Sequence, residues 1–228
     1  LIYPFLALMN VVYMYGLDAG FMRFFIPEKD QQRRQEIFSI VYLSILVTTA
    51  IITAVLFLAK APLSSLLLGD DPATSVFALA FIILMLDGLS FMPVLYYRSI
   101  QKPLRYVSII FSEVVVNLGL NVLLVGFWGW GLKGVLVANI SSSLVKLLFA
   151  SPAIFKNLHF TWNTRLWKDL MKFGLPTVPA VLFAMVVALG DRFLIKYFFD
   201  QATVGIYSAG YKIGMIMALM VTAFRFAW

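Results

Sequence analysis

Apolar stretches long enough to cross a bilayer recur along the whole 228-residue chain. A membrane-spanning helix needs about 20 mostly apolar residues. Only 13% of the residues are charged, against roughly 25% in soluble domains, so a single water-soluble core could not absorb the apolar sequence. We predict an all-α polytopic membrane protein. Its seven candidate transmembrane helices lie at about 1–23, 37–59, 76–97, 106–127, 134–154, 173–199 and 203–226. Because both chain ends fall inside apolar stretches, we expect a fragment of a longer protein.

Basic residues alternate between the two sides of the predicted membrane. Positively charged connections remain on the cytoplasmic side, so the richer side predicts the orientation. The poorer side receives Lys60 and Lys133. The richer, cytoplasmic side receives Arg23, Lys29, Arg33, Arg34, Arg98, Lys102, Arg105, Lys156, Arg165, Lys168 and Lys172. The net charge of +7 therefore indicates membrane orientation rather than binding to nucleic acid.

Several classes of function are disfavoured by what the sequence lacks. Cysteine is absent and His159 is the single histidine, so neither thiolate chemistry nor a His-rich metal site is expected. We find no Walker A, HExxH or GxSxG motif, and no connection exceeds about 18 residues. We therefore expect a transporter rather than an enzyme, with no cofactor beyond H⁺ or Na⁺ as a coupling ion.

Charged and amide side chains lie deep within the predicted spans. Asp87 is 11 residues into its span, or about 16 Å from the end, near the midplane. The stripe Glu113, Asn117 and Asn121 repeats every four residues, and Asn139, Ser142 or Ser143, and Lys146 follow the same spacing. Such stripes face a bundle interior or a wet cavity rather than lipid. Two interpretations remain open, namely a functional site and buried polar contacts that hold helices together.

Glycine and proline predict close approaches and breaks between helices. The segments 16–20 (GLDAG) and 210–214 (GYKIG) both match GxxxG, which lets two helix backbones approach closely. The segment 174–179 (GLPTVP) places two prolines at the start of a span, and Pro93 interrupts another. Irregular helices at membrane depth are typical of transporters.

Three segments resemble the polysaccharide-unit flippases, the O-antigen and exopolysaccharide exporters of the multidrug/oligosaccharidyl-lipid/polysaccharide transporter superfamily. The most specific is GLPTVPAVLFAMVVALGDRFLIKYFFDQATVGIYSAGYKIG at 174–214. YGLDAGFMRFF at 15–25 and YYRSIQKPLRY at 96–106 add weaker similarity. The resemblance implies 12–14 spans in two bundles around a central cavity. Residues 1–154 would then form most of the first bundle (spans two to six), 155–172 a cytoplasmic connection, and 173–228 the first two spans of the second bundle.

The resemblance also implies a function, a location and partners. Such flippases move undecaprenyl-diphosphate-linked oligosaccharides across the bacterial inner membrane, as in lipopolysaccharide synthesis, by alternating access. Lipid-linked oligosaccharide and membrane lipids are the expected partners, with a polysaccharide polymerase and chain-length machinery as further partners. Cations mapped to the cavity helices would bind the diphosphate, because arginine offers bidentate contacts to phosphate. These substrate-binding candidates are Arg23, Arg192, Lys196, Lys212 and Arg225.

Acidic residues within the spans are candidates for ion coupling. An acid in a low-dielectric site can take up and release a proton. These candidates are Asp18, Asp87, Glu113 and Asp191. Three alternatives to a flippase remain open: an H⁺- or Na⁺-coupled drug or metabolite antiporter of the same superfamily, a membrane glycosyltransferase or polymerase, and a non-transporting membrane scaffold. The surplus of basic residues argues against the antiporter, and the short connections argue against the enzyme.

Overall fold

The computed structural model describes residues 2–60, 74–160, 162–199 and 203–211, together with positions 214, 217 and 221. Within these residues the regular structure is helical and contains no β-strand. The chain divides into two compact units, 2–180 and 181–228. The helices are α1 (Ile2–Met14), α2 (Leu17–Phe25), α3 (Gln31–Leu58), α4 (Thr74–Ser99), α5 (Pro103–Asn121) with a π-helical extension (Val122–Phe127), α6 (Gly131–Asn157), α7 (Thr164–Gly174) and α8 (Thr177–Phe198).

Five helical segments of the described residues are long and apolar enough to cross a membrane. A sixth span is formed if α1 and α2 are counted together as one bent segment. The prediction of an all-α polytopic membrane fold is confirmed. The predicted span at about 203–226 lies mostly outside the described residues, although 203–211 is helical. The five segments are Gln31–Leu58, Val76–Ser99, Pro103–Phe127, Gly131–Asn157 and Thr164–Val187.

Two boundaries differ from the sequence prediction. The first span is not continuous, because α1 and α2 meet at an angle of 46°. Tyr15 and Gly16 have φ angles of +32° and +78° at this break, a conformation that a helix cannot continue through. The connection between the spans predicted at about 1–23 and 37–59 is also shorter than predicted. Asp30 accepts a hydrogen bond from the N–H of Gln32 and caps α3, which then begins at Gln31.

Two predicted features of the α4–α5 region can be compared directly with the structure. A short connection separates the spans predicted at about 76–97 and 106–127, since α4 ends at Ser99 and α5 begins at Pro103. Proline suits the first position of a helix, where its missing N–H needs no partner. Pro93 lies inside α4, whose helical assignment continues through it, so the predicted interruption does not occur.

An aromatic cluster joins α2, α3 and α4 at one end of the first unit. The rings of Phe21 and Phe25 stack with centroids 4.5 Å apart, and Phe38 meets Tyr96 edge-on at 5.4 Å. Phe21, Phe25 and Phe38 are essentially inaccessible to solvent. Aromatic pairs contribute about 0.5–1.5 kcal/mol beyond their area burial, so this cluster contributes to the packing of these helices.

Three basic connections meet at this same end. The Gln35 amide donates to the carbonyl of Lys156 over 3.4 Å, and Ser99 donates to the sulfur of Met22 over 3.1 Å. Asn163 donates to Glu36 over 2.8 Å. These contacts bring together the ends of α2, α4 and α6 and the starts of α3 and α7. The three basic connections therefore lie at one end of the first unit, as expected if basic and neutral connections alternate between the two sides of the membrane.

The backbones of α2 and α7 cross without an intervening side chain. A Cβ atom on Gly16 would lie 2.0 Å from the carbonyl oxygen of Gly174, and one on Gly174 would lie 2.2 Å from that of Gly16. One turn along, a Cβ on Gly20 would lie 2.9 Å from the carbonyl oxygen of Leu170. The GxxxG at 16–20 therefore allows the close approach that its spacing predicts. We call these four residues the α2–α7 crossing.

Candidate functional site

An ionic network joins α4, α5 and α6. The ammonium of Lys146 on α6 lies 2.8 Å from a carboxylate oxygen of Asp87 on α4. It also lies 2.8 Å from a carboxylate oxygen of Glu113 on α5. Ser143 donates to the Asp87 oxygen over 2.8 Å. We call Asp87, Glu113, Lys146 and Ser143 the ionic network.

The network is largely shielded and has more acid than base. The side chain of Lys146 is 14% exposed, and those of Asp87 and Glu113 are 25% and 24% exposed. With all three groups ionised, two carboxylates surround one ammonium and leave a net charge of −1. Uncompensated charge is unfavourable in a low-dielectric environment. With its three groups ionised, the network therefore leaves one negative charge uncompensated within the described residues.

Amide and hydroxyl groups extend the polar region along α5 and α6. Asn117 donates to Asn139 over 2.9 Å and to Ser142 over 3.2 Å. Asn121 donates to the side-chain oxygen of Asn117 over 2.9 Å, and the π-helical segment starts directly after it. Both predicted stripes thus face each other. We call Asn117, Asn121, Asn139 and Ser142 the amide ladder. Ser143, the neighbour of Ser142, belongs to the ionic network instead.

A cavity of about 380 Å³ opens onto the ionic network within the first unit. Helix α1 contributes Asn10 and Met14, and α4 contributes Ser90 and Phe91 beside Asp87. Helix α5 contributes Tyr106 as well as Glu113, and α6 contributes Lys146. This mixture of charge, amide, hydroxyl and aromatic ring gives the cavity a polar end within an otherwise apolar bundle.

The ion-coupling candidates Asp87 and Glu113 meet in this network, but Asp18 is placed elsewhere. Asp18 lies half-buried in the first turn of α2, and it forms no ion pair with the described Arg23. Arg23 is exposed at the other end of α2, where its guanidinium lies 4.3 Å from the centroid of the Phe173 ring. These two residues therefore belong to the neighbourhood of the α2–α7 crossing.

The remaining candidates belong to the second unit or lie outside the described part of the chain. Asp191 is half-buried on α8 and accepts a hydrogen bond from the Tyr207 hydroxyl. Arg192 and Lys196 lie on α8, but their side chains are outside the described part. Lys212 and Arg225 also fall outside it. The substrate-binding role of these four cations stays a prediction.

Lys146 was not among the site residues predicted from the sequence. It joins both carboxylates, yet no motif surrounds it. The available signal was its position on the Asn139–Ser142–Lys146 stripe and its depth in the span. A lysine near the midplane needs an acidic partner, and only Asp87 and Glu113 lie at a comparable depth in neighbouring spans.

These observations define a multi-pass membrane protein whose interior contains charged side chains beside a cavity. A family model described as polysaccharide biosynthesis protein matches residues 1–227, and the chain belongs to this family. The match confirms the resemblance to polysaccharide-unit flippases, and members of the family are generally transporters rather than enzymes. Comparisons with curated proteins and with solved structures gave no match.

Proposed function

We propose that the protein is a flippase that moves undecaprenyl-diphosphate-linked oligosaccharide across the bacterial inner membrane by alternating access. Membership of the polysaccharide biosynthesis family supports a transporter of polysaccharide precursors. The observation that carries the proposal further is the ionic network beside a 380 Å³ cavity in the first unit. A bundle that only anchored a protein in the membrane would have no need of three charges at this depth.

The chemistry of the proposed substrate requires cations. A lipid diphosphate is anionic and does not cross hydrocarbon unaided, so a carrier must replace the water around its phosphates. The proposed phosphate ligands are Arg192 and Lys212, with Arg23, Lys196 and Arg225, because the resemblance to the flippase family places them on the helices that line the cavity. Arginine would hold two phosphate oxygens at once, and lysine would act as a more mobile point charge.

The ionic network is the proposed site of ion coupling. One proton or Na⁺ would cancel its net negative charge and change the attraction of Lys146 for α4 and α5. An ion that binds one arrangement of these helices more tightly shifts the population toward that arrangement. Asp87 and Glu113 would hold the ion, while Lys146 would set the geometry between them. Asp18 and Asp191 are further candidates at other points of the chain.

Reconstitution of the full-length protein tests the transport activity directly. Liposomes would contain a fluorescently labelled polyprenyl-diphosphate oligosaccharide, and a soluble glycosidase would cleave only the head groups facing outward. We expect the protein to expose the protected inner fraction, and an imposed H⁺ or Na⁺ gradient to change the rate. If the inner fraction stays protected under both gradients, the flippase proposal is wrong.

Two substitutions test the proposed phosphate ligands in cells. We expect Arg192→Ala and Lys212→Ala each to abolish surface polysaccharide while the amount of protein in the membrane stays constant. Lys133→Ala, at the exposed start of α6, is a matched loss of charge outside the proposed site and should leave export unchanged. Normal export by both site variants would exclude these residues as essential ligands.

One observation favours a second candidate, a drug or metabolite antiporter. The net negative charge of the ionic network suits an organic cation better than a diphosphate. An antiporter would move a fluorescent organic cation in the same liposomes and leave the lipid-linked oligosaccharide protected. The less favoured enzyme would instead lengthen the oligosaccharide, which chromatography of the recovered lipid would detect.

A further inference from the structure

We infer that the outward face of α7, together with Arg23, is a binding surface for the head groups of anionic phospholipids. It concerns a region separate from the ionic network and does not depend on what the protein transports. The residues that form it are Arg23, Arg165, Lys168 and Lys172, flanked by Trp162 and Trp167. We call this set the basic face.

Three cations form a stripe along α7. Arg165, Lys168 and Lys172 are spaced by three and four residues, which places them on one side of a helix, and all three are exposed. None has a carboxylate within 4.0 Å among the described residues. Asp169 is the one acid on α7, and it is exposed as well. The stripe therefore has an excess of positive charge.

Arg23 adds a fourth cation from the neighbouring helix. Its guanidinium rests over the ring of Phe173, next in sequence to Lys172, at 4.3 Å from the centroid. A stacked guanidinium keeps its N–H groups available for oxygen acceptors, because the ring contacts only its face. The side chain is exposed and forms no ion pair with the described acids. Arg23 is thus held in place without being neutralised.

Aromatic side chains accompany these cations. The rings of Trp162 and Trp167 lie with centroids 6.3 Å apart, and Trp162 is 55% exposed. Phe160 is 89% exposed nearby in the chain. Tryptophan is enriched at the level of the lipid head groups, where one part of the ring is apolar and another is wet. The exposed rings of Trp162 and Phe160 favour a bilayer surface over a soluble protein partner, whereas Trp167 is partly buried and packs against the core of the first unit.

The position of α7 relative to the predicted membrane supports the same occupant. A candidate span runs from Thr164 to Val187, and the charged residues of α7 all lie within its first nine positions. The stripe from Arg165 to Lys172 therefore lies at the end of a span, within about 10 Å along the helix axis. Phospholipid head groups occupy this depth. They are also the anions present in largest amount there.

The opposite face of α7 fixes the orientation of the basic face. Leu166, Leu170 and Gly174 are buried, and the last two belong to the α2–α7 crossing. Because the crossing leaves no space for a side chain, α7 has little freedom to rotate about its axis. Cations held in advance lose less conformational freedom on binding, which favours affinity.

Local fluorescence quenching tests the inference on the reconstituted full-length protein. Replacing Trp128, Trp130 and Trp228 by phenylalanine leaves Trp162 and Trp167 as emitters in the sequence described here, and tryptophans elsewhere in the full protein would be replaced as well. Bilayers of phosphatidylcholine would contain either brominated phosphatidylglycerol or brominated phosphatidylcholine at the same mole fraction. We expect the anionic lipid to quench several-fold more strongly. The difference should shrink at 1 M salt, where charges are screened.

Two variants with opposite charge changes make the test selective. In Arg165→Gln/Lys168→Gln/Lys172→Gln the several-fold preference should be lost, since each of the three cations contributes about fivefold near an anionic surface. Asp169→Asn removes a repelling charge and should raise the preference. Arg98→Gln/Lys102→Gln/Arg105→Gln removes the same charge from another exposed basic connection and should leave quenching of these tryptophans unchanged.

Three results would overturn the inference. Equal quenching by the two lipids would exclude a preference for anionic head groups. An equal loss in the control variant would mean that the total basic charge, not this face, attracts the lipid. Displacement of the quencher by a polyprenyl diphosphate, but not by excess unbrominated phosphatidylglycerol, would assign the face to substrate entry instead. The Asp169→Asn variant keeps the test decisive if the triple variant does not fold.

Discussion

The first unit holds its helices together in two opposite ways. In the ionic network, α4, α5 and α6 are linked by long side chains that carry full charges. At the α2–α7 crossing, the backbones of two helices touch, because Gly16, Gly20 and Gly174 have no side chain to separate them. In a membrane neither contact is driven by the hydrophobic effect, since lipid tails are as apolar as leucine. Charged contacts therefore join the helices beside the cavity, and close backbone packing joins them where the chain bends.

Breaking the ionic network should have the largest effect. Lys146→Met leaves Asp87 and Glu113 facing each other without a cation, and breaking a buried ion pair in this way costs about 3–5 kcal/mol. The free energy of unfolding in mixed micelles, compared with that of the unmodified protein, tests this expectation.

A neutral version of the network separates stability from transport. Asp87→Asn/Lys146→Met/Glu113→Gln removes all three charges, and replacing a complete buried ionic set often has little effect on stability. We expect the free energy of unfolding of this variant to be close to that of the unmodified protein, while ion-coupled transport is lost. If Lys146→Met alone were as stable as the unmodified protein, the network would contribute nothing to the fold.

Filling the α2–α7 crossing should have the next largest effect. In Gly174→Ala the new methyl group would lie 2.2 Å from the carbonyl oxygen of Gly16, so the helices must separate. Such overpacking costs about 1–3 kcal/mol. A thermal unfolding curve in detergent would show the loss as a lower midpoint. Gly119→Ala is the matched control, because no atom lies within 4 Å of its Cβ position, and it should be neutral or slightly stabilising.

The sequence predicted the helices and the two polar stripes, because each depends on local spacing. It also predicted that Gly16 and Gly20 permit a close approach, but not which helix approaches them. The partner, Leu170 and Gly174, lies about 150 residues away in the chain, and no periodicity relates the two segments. The bend at Tyr15–Gly16 was missed for a similar reason. Apolar residues continue across it, and only the φ angles reveal the break.

The ionic network shows the same limit from the side of function. Depth in the spans identified Asp87, Glu113 and Lys146 as unusual, which is a property of each residue alone. Their meeting at a single ammonium depends on the rotation of three helices about their axes. The separate roles of Ser142 and Ser143 depend on the same rotation, because adjacent residues on a helix point about 100° apart.

A smaller effect should follow from breaking the amide ladder. Asn117→Ala removes the bonds to Asn139, Ser142 and Asn121, and interhelical hydrogen bonds in membranes contribute about 0.6 kcal/mol, with a maximum near 1.7. We expect a loss of about 1 kcal/mol in the free energy of unfolding. Asn121→Ala should cost less, because Asn117 then keeps its partners on α6. A larger loss for Asn121→Ala would mean that the ladder is not centred on Asn117.

The smallest effect should come from the contact between Arg23 and Phe173 beside the α2–α7 crossing. Phe173→Leu keeps an apolar side chain of similar length but removes the ring under the Arg23 guanidinium. An exposed cation–π contact contributes about 0.5–1 kcal/mol. A double-mutant cycle with Arg23→Gln isolates this contribution. The sum of the losses in free energy of unfolding in the two single variants should exceed the loss in the double variant by that amount. Strict additivity would mean that Arg23 does not stabilise the crossing, which would then be held by backbone packing alone.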